Sequence, residues 1–152
     1  VKSKDIRAKA VFGADNSRII KFPNGSTGQF VTNEQPSQTP IVVTRVAEMY
    51  LIKAEALGAV NGLATLKEFM NKRYATVLLP SNMTDAEFQN QILDERHREL
   101  YAEGQRWYDL KRTNRLDLFS SLNGRNYLMY YPVPQSERDL AGEETYPQNE
   151  GY

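Results

Sequence analysis

The sequence contains no cysteine among its 152 residues. This absence excludes disulfide bonds, thiol nucleophiles and cysteine-ligated metals within the chain. The 19 basic and 19 acidic residues cancel, so there is no basic excess of the kind that a nucleic-acid-binding surface requires. No apolar run approaches the roughly 20 residues that cross a bilayer as a helix. We therefore expect a chain without disulfides, without a nucleic-acid partner and without a membrane span of its own.

Length and composition bound the organisation of the chain. Apolar residues make up 40% and charged residues 25%, ordinary values for a soluble globular domain, and one domain is the default at this length. The first residue is Val1 and no signal peptide is visible, so we interpret residues 1–152 as a single domain or a fragment of something longer. Its expected parts are an irregular arm over 1–44, a helical core over 45–113 and a turn-rich tail over 114–152.

The expected arm is rich in residues that favour turns. Gly, Pro, Ser, Thr and Asn crowd segments 22–30 and 33–40, and such clusters are typical of loops. Two short β-prone pieces, 18–22 and 41–44, are interpreted as strands or as extended cover over a core.

Two helices are expected to follow as an antiparallel hairpin. Val46, Met49 and Tyr50, followed by Ile52 or Lys53, give helix 45–60 an apolar stripe at helical spacing. Asn61-Gly62 is predicted to stop that helix. A second helix over 63–74 places on one face the residues Leu63, Leu66, Phe69 and Met70.

A third helix is predicted to begin at a capping box. Thr84 precedes Glu87 by three residues, the spacing at which each side chain satisfies the other's backbone amide. The helix is expected to run to residue 103 and to end at Gly104, and a short helix is expected over 105–113. In the tail, residues 127–134 are predicted to form one extended segment.

The stretch DERHRELYAEGQRWYDLKR, residues 94–112, raises the possibility of an active site. Glu95, Glu99 and Glu103 lie four residues apart and share a helix face, about 6 Å from one to the next. Glycoside hydrolysis needs two carboxyls that flank a substrate, whereas these point the same way. Basic partners at i+3 or i+4 would also keep them ionised, which is wrong for a general acid; the expected pairs are Asp94–Arg98, Glu95–Arg98, Arg96–Glu99 and Arg106–Asp109. We therefore predict no catalytic residue here.

A metal site is still less favoured, and a scaffold role is preferred. His97 is the only histidine, and one histidine without cysteine cannot form a histidine-rich zinc site; we expect it to be an exposed or packed helix residue. Arginine stems cover apolar surface while their heads pair with acids, and Trp107 and Tyr108 supply large apolar area.

At this point the residues resemble the SusD/RagB family. The charged stretch is similar to that family's ER-x-x-EL-x-x-EG-x-R-x-x-DL-x-R signature, and further motifs occur in the family's order: D-x-R at 5–7, RVAEMYLIKAEA at 45–56, FMNKRYA at 69–75, YPVPQSE at 131–137 and PQNEGY at 147–152. The chain departs from the usual QNPGY ending at Glu150. The signature residues are interpreted as structural, and they are Glu95, Arg96, Glu99, Gly104, Arg106, Trp107 and Asp109.

The resemblance implies a fold and a function. It implies a mainly α fold of tetratricopeptide-like helix hairpins, with long irregular arms and at most a few short strands. It implies a non-catalytic, cofactor-free protein that binds oligo- or polysaccharide at the surface of the outer membrane, beside a SusC-like TonB-dependent transporter. Family members are about three times longer, so this chain would be the C-terminal portion, and a lipid anchor would lie upstream of it. No ligand-binding residue follows from the resemblance.

Two other functional classes are weighed against glycan capture. A helical interaction module would dock the transporter without a ligand site of its own in this chain. A glycoside hydrolase is disfavoured by the carboxylate arrangement above.

Overall fold

The computed structural model describes residues 5–12, 21, 43–119, 122 and 124–152. These residues are mainly helical, as expected, and the only bridge with both partners among them joins Asp5 and Tyr74. The helices are α1 Arg7–Val11, α2 Val46–Asn71, α3 Asp85–Glu99, α4 Gln105–Arg112 and α5 Gln135–Ala141, with 3-10 helices at Leu116–Leu118 and Asn126–Met129. Most of the expected arm, including both turn-rich segments and most of the β-prone pieces, lies outside the described residues, and the described residues 21, 43 and 44 of those pieces are not in strands. Within that arm α1 is helical rather than irregular.

The chain divides into two compact units, one ending at Arg106 and one beginning at Trp107. The first unit holds α1, α2 and α3, and the second holds the 3-10 helices and α5. The single-domain organisation and its boundaries stay a prediction. None of the helices in the described part of the chain is long and apolar enough to cross a membrane.

Helix α2 is two helical arms that fold back on each other at Gly58. Gly58 has φ 71° and ψ 178°, a conformation that essentially only glycine adopts. The Tyr50 hydroxyl donates to the Glu68 carboxylate at 3.1 Å, although a straight helix would separate residues 18 apart by about 27 Å. The two arms, 46–57 and 59–71, therefore run antiparallel, which is the predicted hairpin.

The predicted position of the hairpin's break was wrong. Asn61 and Gly62 are helical, and the turn is made by Gly58. Gly62 serves a different purpose, because a Cβ built on it would lie 2.1 Å from the carbonyl oxygen of Ala54. Gly62 is thus a point of close approach between the arms rather than a stop signal.

The predicted apolar stripe of the first arm was also wrong. Val46, Met49 and Ile52 are 75%, 46% and 44% exposed, whereas Leu51 and Ala54 are fully buried. Tyr50, the remaining apolar member of the predicted stripe, is partly buried against the core, and at Ala54 the second arm approaches until Gly62 meets the Ala54 carbonyl. On the second arm the predicted face is confirmed, since Leu63, Leu66, Phe69 and Met70 are all buried.

Helix α3 begins as predicted and ends earlier. Thr84 and Glu87 form the capping box, with the Glu87 amide donating to the Thr84 hydroxyl and the Thr84 amide donating to the Glu87 carboxylate. Its buried face contains Phe88 and Ile92, which pack into the core of α2. The helix ends at Glu99, four residues before the predicted end. Residues 100–104 then form a turn in which Ala102 and Gly104 have positive φ.

The second unit packs around a small core of its own. Leu110, Leu116, Leu122 and Met129 are buried together. Residues 126–129 are a 3-10 helix rather than extended chain, so the predicted extended segment is confirmed only from Tyr130, whose φ and ψ are −102° and 141°. The 3-10 turn places Met129 in this core.

Gly62→Ala tests the close approach of the two arms. The added methyl would overlap the Ala54 carbonyl oxygen, so we expect a loss of about 1–3 kcal/mol in the free energy of unfolding. Urea denaturation followed by circular dichroism measures it. The exposed neighbour Asn61 provides the control, and Asn61→Ala should change stability by less than about 0.5 kcal/mol. Equal effects of the two variants would contradict the close approach.

Candidate functional site

The predicted signature centres on the fully buried side chain of Glu95 in α3. Its Oε2 accepts from Arg7 Nη2 at 2.8 Å, and its Oε1 accepts from the Tyr74 hydroxyl at 2.7 Å. Arg7 belongs to α1 and Tyr74 follows α2, so one carboxylate ties three segments together. A buried charge is tolerated only when it is paired and hydrogen-bonded, and Glu95 meets both conditions.

Local partners complete the shell around Glu95. Arg98 Nη1 donates to Glu95 Oε1 at 2.8 Å, and Gln91 Nε2 donates to the same oxygen at 3.3 Å. Arg98 also pairs with Asp94 at 3.6 Å. The predicted pairs Asp94–Arg98 and Glu95–Arg98 are therefore confirmed.

Glu99 is the second buried carboxylate of the stretch, and it accepts hydrogen bonds from two arginines. Arg73 donates from Nε to Oε2 at 2.8 Å and from Nη2 to Oε1 at 3.0 Å, and Arg7 Nη1 donates to Oε2 at 3.3 Å. Burial raises the pKa of Glu99, but the hydrogen bonds and charges of Arg73 and Arg7 outweigh burial and hold the pKa below its ordinary value. A general acid at neutral pH needs the opposite shift.

Arg7 is the hub that sequence reasoning did not assign. It also pairs with Asp5 at 2.8 Å, and its guanidinium lies 5.0 Å from the centroid of the Tyr74 ring. Burial lowers the pKa of Arg7, but the hydrogen bond to Asp5 and the charge of Glu95 raise it above the ordinary value. Burial and the hydrogen bond to Glu95 raise the pKa of Tyr74, so its phenol keeps the proton that it donates. The available signal was the D-x-R motif at residues 5–7.

Arg96 and Arg106 have partners beyond those that the helix spacing predicted. Arg96 donates to Glu48 of α2 at 3.1 Å, while the predicted partner Glu99 is held by Arg7 and Arg73. Arg106 donates to the backbone carbonyl of Leu93 at 3.1 Å. Both contacts hold α3 to neighbouring segments of the first unit.

Glu103, in the turn after α3, forms ion pairs with two basic side chains, one on each side of residues 22–44 in the sequence. Its carboxylate pairs with Lys21 and, at 2.5 Å, with Arg45. Lys21 Nζ also donates to the carbonyls of Glu99 and Tyr101, both at 2.9 Å, which satisfies carbonyl groups that the end of a helix leaves without partners. Gly104, with φ +77°, supplies the bend that brings Glu103 to this position.

His97 lies on α3. Its side chain is exposed and its ring lies 6.2 Å from that of Tyr101. Partial burial and the charge of Arg106 lower its pKa. The described part of the chain contains no group of three or more potential metal ligands.

In the second unit, Trp107 and Asp109 have packing roles. The Trp107 ring meets Phe119 edge-on at 5.6 Å and packs against the core around Leu110. Asp109 is buried and accepts from Arg112 Nε at 3.0 Å and from Nη2 at 2.9 Å. The seven signature residues thus take part in ion pairs, hydrogen bonds, packing and a bend, and their purely structural role stays a prediction.

The closing QNEGY motif fastens the C-terminus to segment 130–133, and we name this arrangement the tail clasp. Gln148 accepts from the Val133 amide at 2.8 Å and donates to the Val133 carbonyl at 3.2 Å. Asn149 donates to the Tyr131 carbonyl at 2.6 Å, and the Tyr152 hydroxyl donates to the Tyr130 carbonyl at 2.8 Å. Side chains therefore bind the extended backbone in the way that a neighbouring strand would.

Glycine is required at position 151 of the clasp. Gly151 has φ +100°, and a Cβ there would lie 2.5 Å from the Tyr127 ring. That ring meets Tyr152 edge-on at 5.3 Å. Glu150 stands where the usual ending has proline. Its side chain is exposed, and the contacts of the clasp described above come from other residues of the motif.

Comparison with known proteins agrees with these motifs. The model of the SusD family matches residues 13–152. The starch-binding protein SusD of Bacteroides thetaiotaomicron is 33% identical over 98% of this chain, and the match covers 28% of that protein. The SusD-like protein P38 of Formosa agariphila is 37% identical over 60% of this chain and 21% of its own length. The SusD-like protein P2 of the same organism is 30% identical over 79% of this chain and 27% of its own.

The chain thus spans roughly a quarter of the length of these relatives. No solved structure matches it.

Glu95→Gln tests the structural reading of the signature. The amide removes the negative charge that faces Arg7 and Arg98, and breaking a buried pair from one side costs about 3–5 kcal/mol. Thermal and urea denaturation should show that loss. Asp94→Asn, next in the chain but exposed, is the control and should cost less than about 0.5 kcal/mol. If Glu95→Gln left the stability unchanged, the structural interpretation of the signature would be wrong.

Proposed function

The chain belongs to the SusD family, and on that premise we propose that it is part of a protein that captures glycans without cleaving them. The observation that carries the proposal is the agreement of the family model with residues 13–152. The name of the starch-binding relative indicates the ligand class. Because the chain spans about a quarter of that relative, we propose it as the C-terminal portion of a longer protein.

The chemistry of the signature supports capture rather than hydrolysis. The oxygens of Glu95 and Glu99 are occupied by arginine and tyrosine donors. Neither carboxylate faces the other across a space that a sugar could enter, because both point into the same cluster around Arg7. Non-covalent capture asks for aromatic surfaces and polar side chains instead, and exposed tyrosines are present in the tail.

The proposal extends to location and partners. As an outer-membrane surface lipoprotein anchored through a lipid on an upstream segment, the protein would hand its ligand to a SusC-like TonB-dependent transporter. It would need no cofactor. Capture followed by transfer requires reversible binding, which hydrogen bonds and stacking provide.

A second function is favoured by one specific observation. Val46, Met49 and Ile52 form an apolar stripe that α2 leaves exposed. Exposed apolar side chains grouped on one side of a helix are a common feature of protein contacts. A helical module that docks the transporter, without a ligand site of its own, would use such a stripe.

Affinity electrophoresis tests capture directly. The 152-residue chain and the native protein that carries it are run in gels cast with a panel of polysaccharides, amylopectin among them. The same gels are assayed for released reducing sugar. We expect retardation of the native protein with no released sugar.

Three outcomes separate the candidate functions. Retardation without product supports capture, and retardation of the 152-residue chain would assign part of the ligand site to it. Released sugar that Glu99→Gln abolishes, in a variant whose circular dichroism spectrum is unchanged, would establish a hydrolase. Absence of retardation with every polysaccharide would favour the docking module, for which binding to the purified transporter is the matching assay.

A further inference from the structure

Residues 5–12, which include α1, are attached to the rest of the first unit through charged side chains rather than through the apolar core. None of these eight residues belongs to the core that α2 and α3 share. Their apolar contacts are the buried side chain of Val11 and the Phe12 ring, 5.4 Å from that of Tyr101. We propose that residues 5–12 form an acid-releasable segment, which detaches from α2 and α3 when the carboxylates around Arg7 are protonated. The proposal concerns the fold and holds for either candidate function.

One guanidinium makes the ionic contacts of this segment with α3. Arg7 Nη2 donates to Glu95 at 2.8 Å, and Nη1 donates to Glu99 at 3.3 Å. Asp5 holds the same side chain in place, because its carboxylate accepts from Arg7 Nε at 2.9 Å and from Nη2 at 2.8 Å. Hydrogen bonds between charged groups are stronger than those between neutral groups. The charge of the three carboxylates therefore sets how firmly the segment is attached.

The backbone adds a weaker attachment. Asp5 forms an isolated bridge with Tyr74, and the Ile6 amide donates to the Arg73 carbonyl at 3.0 Å. A single bridge lacks the neighbouring strands that make a sheet stable. The five residues of α1 are also too few for a helix that is stable by itself in water. Without the contacts of Arg7, the backbone contacts would not keep the segment in place.

The charges around Arg7 balance at neutral pH. In the described part of the chain, the cluster contains three carboxylates and three guanidiniums, together with one phenol. These groups are Asp5 and Arg7 in the segment, Arg73 and Tyr74 after α2, and Glu95, Arg98 and Glu99 on α3. Protonation of the acids removes the negative charges and leaves the guanidiniums, which repel one another. Acid thus replaces attraction by repulsion at the point of attachment.

The direction of two pKa shifts gives the pH at which release is expected. Burial raises the pKa of Asp5, but the hydrogen bonds and charge of Arg7 hold it below the ordinary value of 3.8. The pKa of Glu99 likewise lies below its ordinary value of 4.5. A carboxyl whose pKa is lowered in the folded state contributes stability that is complete above its ordinary pKa, and that is lost as the pH falls through the lowered value. The segment is therefore attached at neutral pH and released below the ordinary carboxyl range.

The core of α2 and α3 does not share this sensitivity. Its contacts are apolar, as at Leu66 and Ile92, and the burial of such side chains does not depend on protonation. Glu95 also keeps partners after Arg7 has left, since Tyr74 and Gln91 both donate to its Oε1. Parts of a protein that have few apolar contacts open at a lower free energy than the whole. Residues 5–12 should consequently leave before the core unfolds.

Hydrogen exchange in the native protein, measured at a series of pH values, tests the release. Peptides from residues 5–12 are compared with peptides from 59–71 at the same pH, so that the pH dependence of intrinsic exchange cancels in their ratio. Asp5→Asn removes one carboxylate of the cluster. The matched control, Asp117→Asn, removes a carboxylate from the exposed pair that Asp117 forms with Arg115. Circular dichroism at each pH verifies that the helical core remains folded.

We expect the protection of 5–12 to fall about tenfold relative to that of 59–71 between about pH 5 and pH 3. Asp5→Asn should already be less protected in 5–12 at neutral pH, whereas Asp117→Asn should match the unchanged protein. Simultaneous loss of protection in both regions would overturn the proposal, because the segment would then unfold only together with the core. Protection of 5–12 that persists in acid, or that is absent at neutral pH, would also overturn it. Equal behaviour of the two variants would exclude the carboxylate cluster as the cause.

Discussion

The hydrogen-bonded ion pair between Arg7 and Glu95 is the interaction on which the first unit depends. The two residues are 88 positions apart in the sequence, and both side chains are buried. Through Tyr74 and Glu99 the same cluster reaches the segment that follows α2 and one face of the last turns of α3. Removing a partner would leave a charge in an apolar surrounding, so the cluster favours one arrangement of α1, α2 and α3 over its alternatives.

The buried cluster around Arg7 and Glu95 distinguishes residues that stabilise the fold from residues that are available to a ligand. The charged stretch 94–112 contains carboxylates of the kind that an active site would use. These carboxylates are paired with arginines, and the arginines lower the pKa of Glu99. The exposed surfaces of the described residues are of another kind: an apolar stripe on α2 and several tyrosines of the tail. Recognition of a saccharide or of a protein needs such surfaces, and they lie outside the family signature.

Sequence reasoning succeeded where the relevant interaction is local. The Thr84–Glu87 box and the Arg98 pairs with Asp94 and Glu95 span three or four residues, and helix geometry alone sets those distances. It failed where packing chose between two possibilities. Gly58 and Gly62 were equally able to break α2, and the Val46 stripe had helical spacing as good as that of Leu51. The contact of Arg7 with Glu95 has no local signature at all, although the D-x-R motif marked one partner.

A double-mutant cycle on Arg7 and Glu95 tests the central claim most directly. Free energies of unfolding are measured by urea denaturation for Arg7→Met, Glu95→Gln and the double variant, with the exposed pair Arg115–Asp117 as a second cycle. The account predicts strong coupling for Arg7–Glu95, about 1–3 kcal/mol, and almost none for the exposed pair. Additive losses at Arg7 and Glu95 would contradict it, because the two side chains would then stabilise the fold independently.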